Sequence, residues 1–447
     1  MIGLPVPAQI NGMGPTDLTN LSGMMTEELK AEVTKYGDFA QLTYPNFIHF
    51  GEGNPQIANP AELLPWALSY SHNPAVGPSW ITPDSPIYGY EILEDDRYYL
   101  EATSGIYRGE FGYTTRLIRK YLPFLLGLLN GGDNNAPESR NWIGYVAVSK
   151  PLKERNGERD LVVVFRGTQA KAEWISNIVC DMVEWSELQT YGPTIKVERG
   201  FETIYRRFDS SPGNTVSIQG QVHVAVRALL AKYQDDKDNG AITSITTAGH
   251  SLGGALACMC AFDLAWSKVG RLGDKQDGDL IPITAFTFEA PRVGNPAFAA
   301  VFATQRAGIP DAEDPLHNYI PLKSLRVYNT PDIVPKVPCS PFALRYLLPW
   351  LWWKGFRFIL GTLVSLLKAS DDEIPDWLLG FRHAGREYRV NTEPMWDWLG
   401  WPPAFPKYNN WWWPPKGPGW WLSRIGQLHS LQLPLYLIDP TRGMNIG

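Results

Sequence analysis

The chain has 447 residues, which is enough for one large α/β domain with insertions or for two domains. Hydrophobic residues make up 44% of it, sufficient for a folded core, and a formal net charge of −6 argues against nucleic acid as the main partner. The cysteines show neither metal-ligand spacing nor a disulfide framework, which favours a reducing compartment. They are Cys180, Cys258, Cys260 and Cys339.

Residues 1–25 are rich in Gly, Pro and Asn, and we expect them to form a loose leader. They contain neither a basic region nor an uninterrupted apolar segment, so no secretory signal is visible. We therefore expect an intracellular location, either in the cytoplasm or at an organelle.

A helix is predicted to begin after Thr26, because a threonine caps a helix well and acids at Glu27 and Glu28 suit its first turn. Apolar residues then recur at helical spacing along one face. These are Leu29, Val33, Tyr36, Phe39 and Ala40, with Leu42 slightly off the face. From about 45 to 135 the sequence is irregular and forms an insertion. Its apolar run at 122–129 is either a core helix or a helix that touches a membrane.

A regular alternation of strands and helices follows. Strands are predicted over 142–149, 161–165, 283–288 and 325–329, and helices over 172–182, 216–233 and 296–304. Such alternation indicates an α/β fold with a mostly parallel sheet, whose active residues lie at the carboxyl ends of the strands.

The pattern G-x-S-x-G stands between a β-branched strand and a helix rich in small residues. It reads Gly249-His250-Ser251-Leu252-Gly253. A serine on such a strained turn has its backbone at a helix N-terminus, and the flanking glycines let strand and helix approach closely. The context predicts a nucleophile elbow with Ser251 as the nucleophile.

A nucleophilic serine needs a base and an acid that orients this base. Asp332 directly follows a predicted strand and precedes a turn, where an orienting acid belongs. In the chain order Ser, Asp, His, two candidates for the base remain, His383 and His429. The residue chemistry does not choose between them.

The central half of the chain resembles the class 3 lipases, a family with an α/β-hydrolase fold, and within it the plant phospholipase A1-like branch. Eight motifs match in family order. They are Lys35-Tyr-Gly-Asp-Phe-Ala-Gln41, Val163-Val-Phe-Arg-Gly-Thr168, Glu173-Trp-Ile-Ser176, Arg199-Gly-Phe201, Gly249-His-Ser-Leu-Gly-Gly-Ala-Leu-Ala257, Pro291-Arg-Val-Gly-Asn-Pro-Ala-Phe298, Asp332-Ile-Val-Pro335 and His383-Ala-Gly-Arg-Glu-Tyr388.

The resemblance implies roles for individual residues. His383 matches a structural H-x-G-x-E-Y element, whereas His429 opens the late H-x-L segment that carries the catalytic histidine. Thr168 and the backbone N–H of Leu252 match the donors of the oxyanion hole. The short helix at 170–181 matches the lid, and its candidate lid residues are Trp174, Ile175 and Ile178.

Two segments depart from the family pattern, an insert at 341–379 and a region rich in Trp and Pro at about 392–423. Tryptophan favours the membrane interface, so these segments are either an interfacial anchor or a cap that buries them. We expect one lipase domain over 26–447 with insertions at these two places and at 45–135.

The sequence thus predicts a serine lipid acyl hydrolase that acts on acylglycerols or polar glycerolipids at a membrane or droplet surface. Peripheral membrane contact is expected, and the chemistry needs no cofactor or metal. A non-catalytic lipase-like scaffold and a lipid acyltransferase with the same triad are the alternatives.

Overall fold

The structure is a computed structural model. It describes residues 25–51, 90–91, 99–103, 140–151, 157–167, 181–185, 194–206, 217–233, 240–267, 269, 281–304, 306–307, 320–330, 332, 334–337, 380–390, 429–431, 434–435 and 438–439. Thr168, the predicted lid except Asp181, the leader except Met25, and most of the three insertions lie outside these residues.

Eleven strands lie within the described residues. They are β1 (Tyr90–Glu91), β2 (Tyr99–Thr103), β3 (Arg140–Ser149), β4 (Arg159–Phe165), β5 (Met182–Glu184), β6 (Lys196–Glu198), β7 (Ile242–His250), β8 (Ile283–Phe288), β9 (Arg306–Ala307), β10 (Ile320–Asn329) and β11 (Arg386–Val390). Nine of them form one sheet in the order β1-β3-β4-β7-β8-β10-β11, with β2 beside β3 and β9 beside β10.

The sheet is parallel from β4 through β7, β8 and β10 to β11, and antiparallel where β1, β2 and β9 join and where β3 meets β4. Both central strands β4 and β8 are buried along their whole length, as expected for parallel strands covered on two faces. Because the parallel strands run the same way, their carboxyl ends meet at one edge. The predicted mostly parallel α/β sheet is confirmed.

Five helices of the described chain cover this sheet. They are α1 (Glu27–Gly51), α2 (Arg199–Arg206), α3 (Ile218–Tyr233), α4 (Leu252–Trp266) and α5 (Pro296–Thr304). One apolar core unites residues of α2, α3, α4 and α5 with one face of the sheet, and a second unites α1 and the segment at 431–438 with the other face. The strands therefore have helical cover on both sides.

Helix α1 begins as predicted, since the Leu29 N–H donates to Thr26 Oγ1 at 3.2 Å. Its predicted apolar face is buried, and Leu42, expected slightly off the face, is buried too. A polar contact also ties the helix to the sheet, because Tyr36 Oη donates to Asp160 Oδ2 at 2.9 Å. Asp160 Oδ1 accepts from Ser244 Oγ at 2.6 Å, so the buried carboxylate links α1, β4 and β7.

The predicted strands and the helices at 216–233 and 296–304 are present, with small shifts at their ends. Asp181 and Met182 are the described residues of the predicted helix at 172–182, and the prediction is wrong at both, because neither is helical. Met182 opens strand β5, because it pairs with Glu198 of β6 in an antiparallel ladder. No helix within the described part of the chain combines the length and hydropathy that crossing a bilayer requires.

Candidate active site

The serine of the G-x-S-x-G motif lies in the turn between β7 and α4. Strand β7 ends at His250 and helix α4 begins at Leu252, so Ser251 is the residue between them. Its φ of 59° and ψ of −127° are unfavourable for a residue with a side chain. The Ser251 N–H donates to Phe288 O at 2.9 Å and ties the turn to the end of β8. This is the strained strand–turn–helix geometry that the motif predicts.

The two motif glycines are required by close backbone contacts. A Cβ atom on Gly249 would lie 2.2 Å from Gly253 O, and one on Gly253 would lie 2.3 Å from Phe165 O. Side chains at these positions would therefore push α4 away from β7 and β4. Helix α4 is itself buried from its first residue to Ala265, which holds the turn in a rigid frame.

Asp332 follows β10, two strands away from β7 in the sheet. Its N–H donates to Asn329 O at 3.0 Å, and its Oδ1 accepts the N–H of Val334 at 3.0 Å. The second oxygen, Oδ2, lies 2.6 Å from Nδ1 of His429. Asp332 is fully buried and His429 is 7% exposed. The structure thus brings Asp332 together with His429.

His250, the residue before the serine, contacts His429 directly. The centroids of the two imidazole rings are 4.7 Å apart, and His250 Nε2 lies 2.9 Å from the carbonyl oxygen of His429. Because a carbonyl oxygen accepts hydrogen bonds only, Nε2 of His250 is the nitrogen that carries the proton. Burial, followed by the charge of His429, lowers the pKa of His250. A neutral His250 therefore connects the elbow to the histidine segment.

A third carboxyl group belongs to this cluster. Glu289 directly follows β8, is fully buried, and accepts the N–H of Asn329 at 2.9 and 3.0 Å through its two carboxyl oxygens. Burial raises the pKa of Glu289, and so does the negative charge of Asp332. The cluster thus lies at the carboxyl ends of three neighbouring strands, since His250 ends β7, Glu289 follows β8 and Asp332 lies just beyond β10.

Sequence comparisons identify the family. A profile described as Lipase (class 3) matches residues 162–342. Phospholipase A1-II 6 of Oryza sativa subsp. japonica is 31% identical over 339 residues, covering 73% of this chain and 70% of that protein. The chain belongs to the class 3 lipase family.

Two further plant relatives extend well beyond the part that aligns with this chain. Phospholipase A1-Igamma2, chloroplastic, of Arabidopsis thaliana is 30% identical over 353 residues, covering 76% of this class 3 lipase and 57% of that protein. Phospholipase A1-Igamma1, chloroplastic, of the same organism is 31% identical, covering 76% and 59%. The chain therefore spans less than two thirds of the length of these two relatives.

Solved structures of fungal lipases also align with this class 3 lipase. A triacylglycerol lipase from Penicillium expansum has a TM-score of 0.31 and 21% identity, covering 56% of this chain and 65% of that chain. A lipase from Rhizopus microsporus var. chinensis has a TM-score of 0.36 and 19% identity, covering 70% and 71%. The family and the mostly parallel sheet give this lipase the α/β-hydrolase fold.

The predicted oxyanion donors lie on two segments that meet. Leu252 is the first residue of α4, where backbone N–H groups have no acceptor within the helix. Thr168 itself lies outside the described residues, but the chain just before it does not. The oxygens of Phe165 and Arg166 border Gly253 closely enough that a Cβ atom there would lie 2.3 and 2.7 Å from them. The chain leading to Thr168 therefore reaches the N-terminus of α4.

Glu289, Asp332 and His429 each have one potential metal-ligand atom within 4.8 Å of the others. Ligands at about 2.1 Å around a tetrahedral ion are roughly 3.4 Å apart. The Asp332 Oδ2 and His429 Nδ1 atoms are only 2.6 Å apart, at hydrogen-bond distance. Asp332 and His429 are therefore hydrogen-bonded to each other and stand too close together to be two ligands of one tetrahedral ion.

Sequence reasoning missed the parts that His250 and Glu289 take in this cluster. His250 is the last residue of β7 and packs against His429, a contact that the motif around Ser251 does not predict. Glu289 was not singled out at all. Its position one residue after a buried strand, like that of Ser251 after β7, was the available signal.

Proposed function

We propose that this class 3 lipase is a serine lipid acyl hydrolase with Ser251 as the nucleophile, His429 as the general base and Asp332 as the residue that orients it. The observation that carries the proposal is the contact of 2.6 Å between His429 Nδ1 and Asp332 Oδ2. His250, next to the serine, holds the same histidine segment at 2.9 Å.

The proposed chemistry follows from these contacts. A proton on Nδ1 of His429, donated to Asp332, leaves Nε2 with a lone pair that accepts the proton of the Ser251 hydroxyl. The serine oxygen then attacks the ester carbonyl, and His429 returns the proton to the departing alcohol. Water attacks the acyl-enzyme in the same way and releases the fatty acid. Asp332 stabilises the imidazolium that forms in both steps.

The proposed oxyanion donors are the Leu252 N–H and Thr168. The positive end of the α4 dipole supports the first, because it favours negative charge at the helix N-terminus. The close approach of Phe165 and Arg166 to Gly253 supports the second.

The proposal includes a lid, with Trp174, Ile175 and Ile178 as its candidate residues. Ser251 is 2% exposed. A lipid ester reaches such a buried hydroxyl only when the chain that covers it moves, and closure behind the substrate keeps water from the donors.

For the substrate, we propose the acyl ester of a glycerophospholipid, with acylglycerols and galactolipids as competing substrates. Support comes from the plant relatives that bear the name phospholipase A1. The test is fatty-acid release from vesicles of phosphatidylcholine, from a galactolipid and from emulsified triolein, at equal acyl concentration. Preferential release from triolein would contradict the phospholipid assignment. Transfer of the acyl chain to added glycerol instead of water would favour the acyltransferase.

The Trp-rich segments at 341–368 and 396–421 are the proposed membrane contact, and the proposed location is an intracellular, organelle-associated membrane surface. The word chloroplastic in the names of two relatives supports an organelle. Replacing Trp411, Trp412 and Trp413 with Ala should weaken liposome binding more than turnover of a soluble short-chain ester. Equal losses in the two assays would favour a buried cap.

A fluorophosphonate probe tests the nucleophile and the base. We expect labelling of the wild type, and labelling lost in Ser251→Ala and strongly reduced in His429→Ala. The matched controls are His223→Ala and His383→Ala, which should be labelled like the wild type. A wild type that is not labelled, with lipid vesicles present or absent, would favour the non-catalytic scaffold.

A further inference from the structure

Glu289 has a backbone conformation that its residue type does not favour. Its φ is 50°, and among the described residues other than glycine it shares a positive φ with Ser251 alone. The left-handed region crowds a Cβ atom, and residues that persist there often serve a functional site. The Glu289 N–H donates to Val327 O at 2.9 Å, so β10 holds this conformation in place.

The Glu289 side chain lies directly behind the orienting acid. Both of its oxygens accept the N–H of Asn329, at 2.9 and 3.0 Å, and one of them lies within 4.8 Å of an oxygen of the Asp332 carboxyl group. Two carboxyl groups so close and fully buried cannot both be ionised at low cost, so one proton stays between them. Asp332 already accepts from His429 and from the Val334 N–H. The proton therefore belongs to Glu289.

The charges around Glu289 agree with this assignment. Burial and the negative charge of Asp332 raise the pKa of Glu289, and they outweigh the Asn329 N–H and the Arg326 guanidinium, which lower it. The other titratable groups of the cluster are His429 and His250, one from the C-terminal segment and one from β7. His250 is neutral, because burial lowers its pKa.

We propose that Glu289 is a positioning residue, a neutral carboxylic acid that donates its O–H to Asp332 and keeps that carboxylate facing His429. This inference rests on the proposed Ser251, His429 and Asp332 function. The pair then carries one negative charge, and Asp332 is held by three donors: Glu289, Val334 and His429. Ionised Glu289 would add a second negative charge and repel Asp332 from its place.

Two substitutions separate this role from a packing role. Glu289→Gln keeps one group that accepts from Asn329 and one that donates to Asp332, but it cannot ionise. Glu289→Gly removes the side chain and tolerates the positive φ, so it removes the hydrogen bonds without adding backbone strain. Both are to be compared with the wild type by kcat, KM and pH profile on a soluble short-chain ester, after thermal denaturation has shown that each is folded.

We expect Glu289→Gln to retain kcat within about threefold of the wild type. Glu289→Gly should lower kcat roughly 10- to 100-fold and leave KM within about threefold, since losing the hydrogen bond to Asp332 affects the transition state more than substrate binding. The wild type should lose activity as the pH rises through the raised pKa of Glu289, and Glu289→Gln should lack this alkaline decline. A packing role predicts no change of the pH profile in Glu289→Gln.

The inference is overturned if Glu289→Gly matches the wild type in kcat and pH profile, or if Glu289→Gln is as impaired as Glu289→Gly. Neither result affects the labelling of wild-type Ser251 by the fluorophosphonate probe. An unlabelled, inactive wild type would instead overturn the proposed function and this inference together. The two failures are therefore distinguishable.

Discussion

Within the described part of the chain, two aspartate–histidine pairs have contacts of the same length, and their surroundings differ. His429 Nδ1 lies 2.6 Å from Asp332 Oδ2, and His223 Nε2 lies 2.6 Å from Asp263 Oδ2. Asp332 and His429 lie at the edge where β7, β8 and β10 end, beside the elbow turn. Asp263 and His223 lie on the packed helices α4 and α3. A short Asp–His contact alone does not indicate catalysis.

The donors around Asp263 indicate its role. Besides His223, it accepts the hydroxyl of Tyr205 at 3.0 Å and the amide of Gln219 at 2.7 Å. Burial, followed by the charge of Asp263, raises the pKa of Tyr205, so its hydroxyl stays protonated and donates. Asp263 thus joins α2, α3 and α4 in a buried polar network. Asp332 instead directs one oxygen at a histidine that contacts His250, the residue before the proposed nucleophile.

Asparagine substitutions should separate the two pairs most clearly. We expect Asp332→Asn to lower kcat by roughly 10³- to 10⁴-fold, because an amide neither stabilises the imidazolium nor enforces the correct tautomer. Asp263→Asn is the matched control and should keep kcat within about threefold of the wild type. Steady-state kinetics on a short-chain ester give both values. Comparable losses in the two variants would contradict the distinction between the pairs.

His223→Ala should have a measurable effect on stability and none on turnover. Removal of the imidazole leaves buried Asp263 with one donor fewer, which we expect to lower the free energy of unfolding by about 1–3 kcal/mol. Urea denaturation followed by tryptophan fluorescence measures this change. Gln219→Ala, which removes another donor to the same carboxylate, should give a loss of similar size. A His223→Ala variant with wild-type stability but poor turnover would reverse the assignment.

Acid should destabilise the protein partly through His250, which connects the elbow to the proposed catalytic pair, Asp332 and His429. The pKa of His250 in the folded protein lies below 6.5, the ordinary value for a histidine side chain. As the pH falls through 6.5, His250 of the unfolded chain takes up a proton before His250 of the folded protein does. The contribution of His250 to stability is therefore complete above about pH 6.5 and declines at lower pH.

His250→Gln keeps a donor to the His429 carbonyl without a titrating ring. Its melting temperature should therefore fall less than that of the wild type between pH 8 and pH 5. His223→Gln is the control for loss of a histidine elsewhere. Identical pH dependence of His250→Gln and the wild type would show that His250 does not titrate in this way.

The smallest effect is expected for His383→Ala. His383 is the second candidate for the base that the chain order Ser, Asp, His leaves open. His383 follows the isolated bridge between Gly294 and Arg382, and the imidazole at Asp332 is that of His429. Activity should stay within about threefold of the wild type, with a loss of roughly 1 kcal/mol in unfolding free energy. Loss of turnover equal to that of His429→Ala would return His383 to the list of candidate bases.

Local sequence patterns predicted the strands and helices that carry the candidate site, whereas contacts between distant segments could not be predicted from them. The positions of Ser251 and Asp332 just beyond strands could be predicted because strand ends are visible in hydrophobic periodicity, and their catalytic roles stay predictions. His429 required the family resemblance, since no local pattern separated it from His383. Glu289 and His250 were missed because their roles depend on which strands are neighbours in the sheet. That order, β7-β8-β10, is set by packing of the whole domain.

The contact between the first and last described segments bears on how the proposed site assembles. Leu435 packs so closely on Gly37 that a Cβ atom at the glycine would lie 2.4 Å from it. His429 precedes this contact by only a few residues, so the anchor on α1 also holds the proposed base near the elbow. During synthesis the proposed nucleophile Ser251 emerges before the proposed base His429, which follows it along the chain. We therefore expect the proposed chemistry to begin in a nascent chain only after the segment that carries His429 has docked on α1.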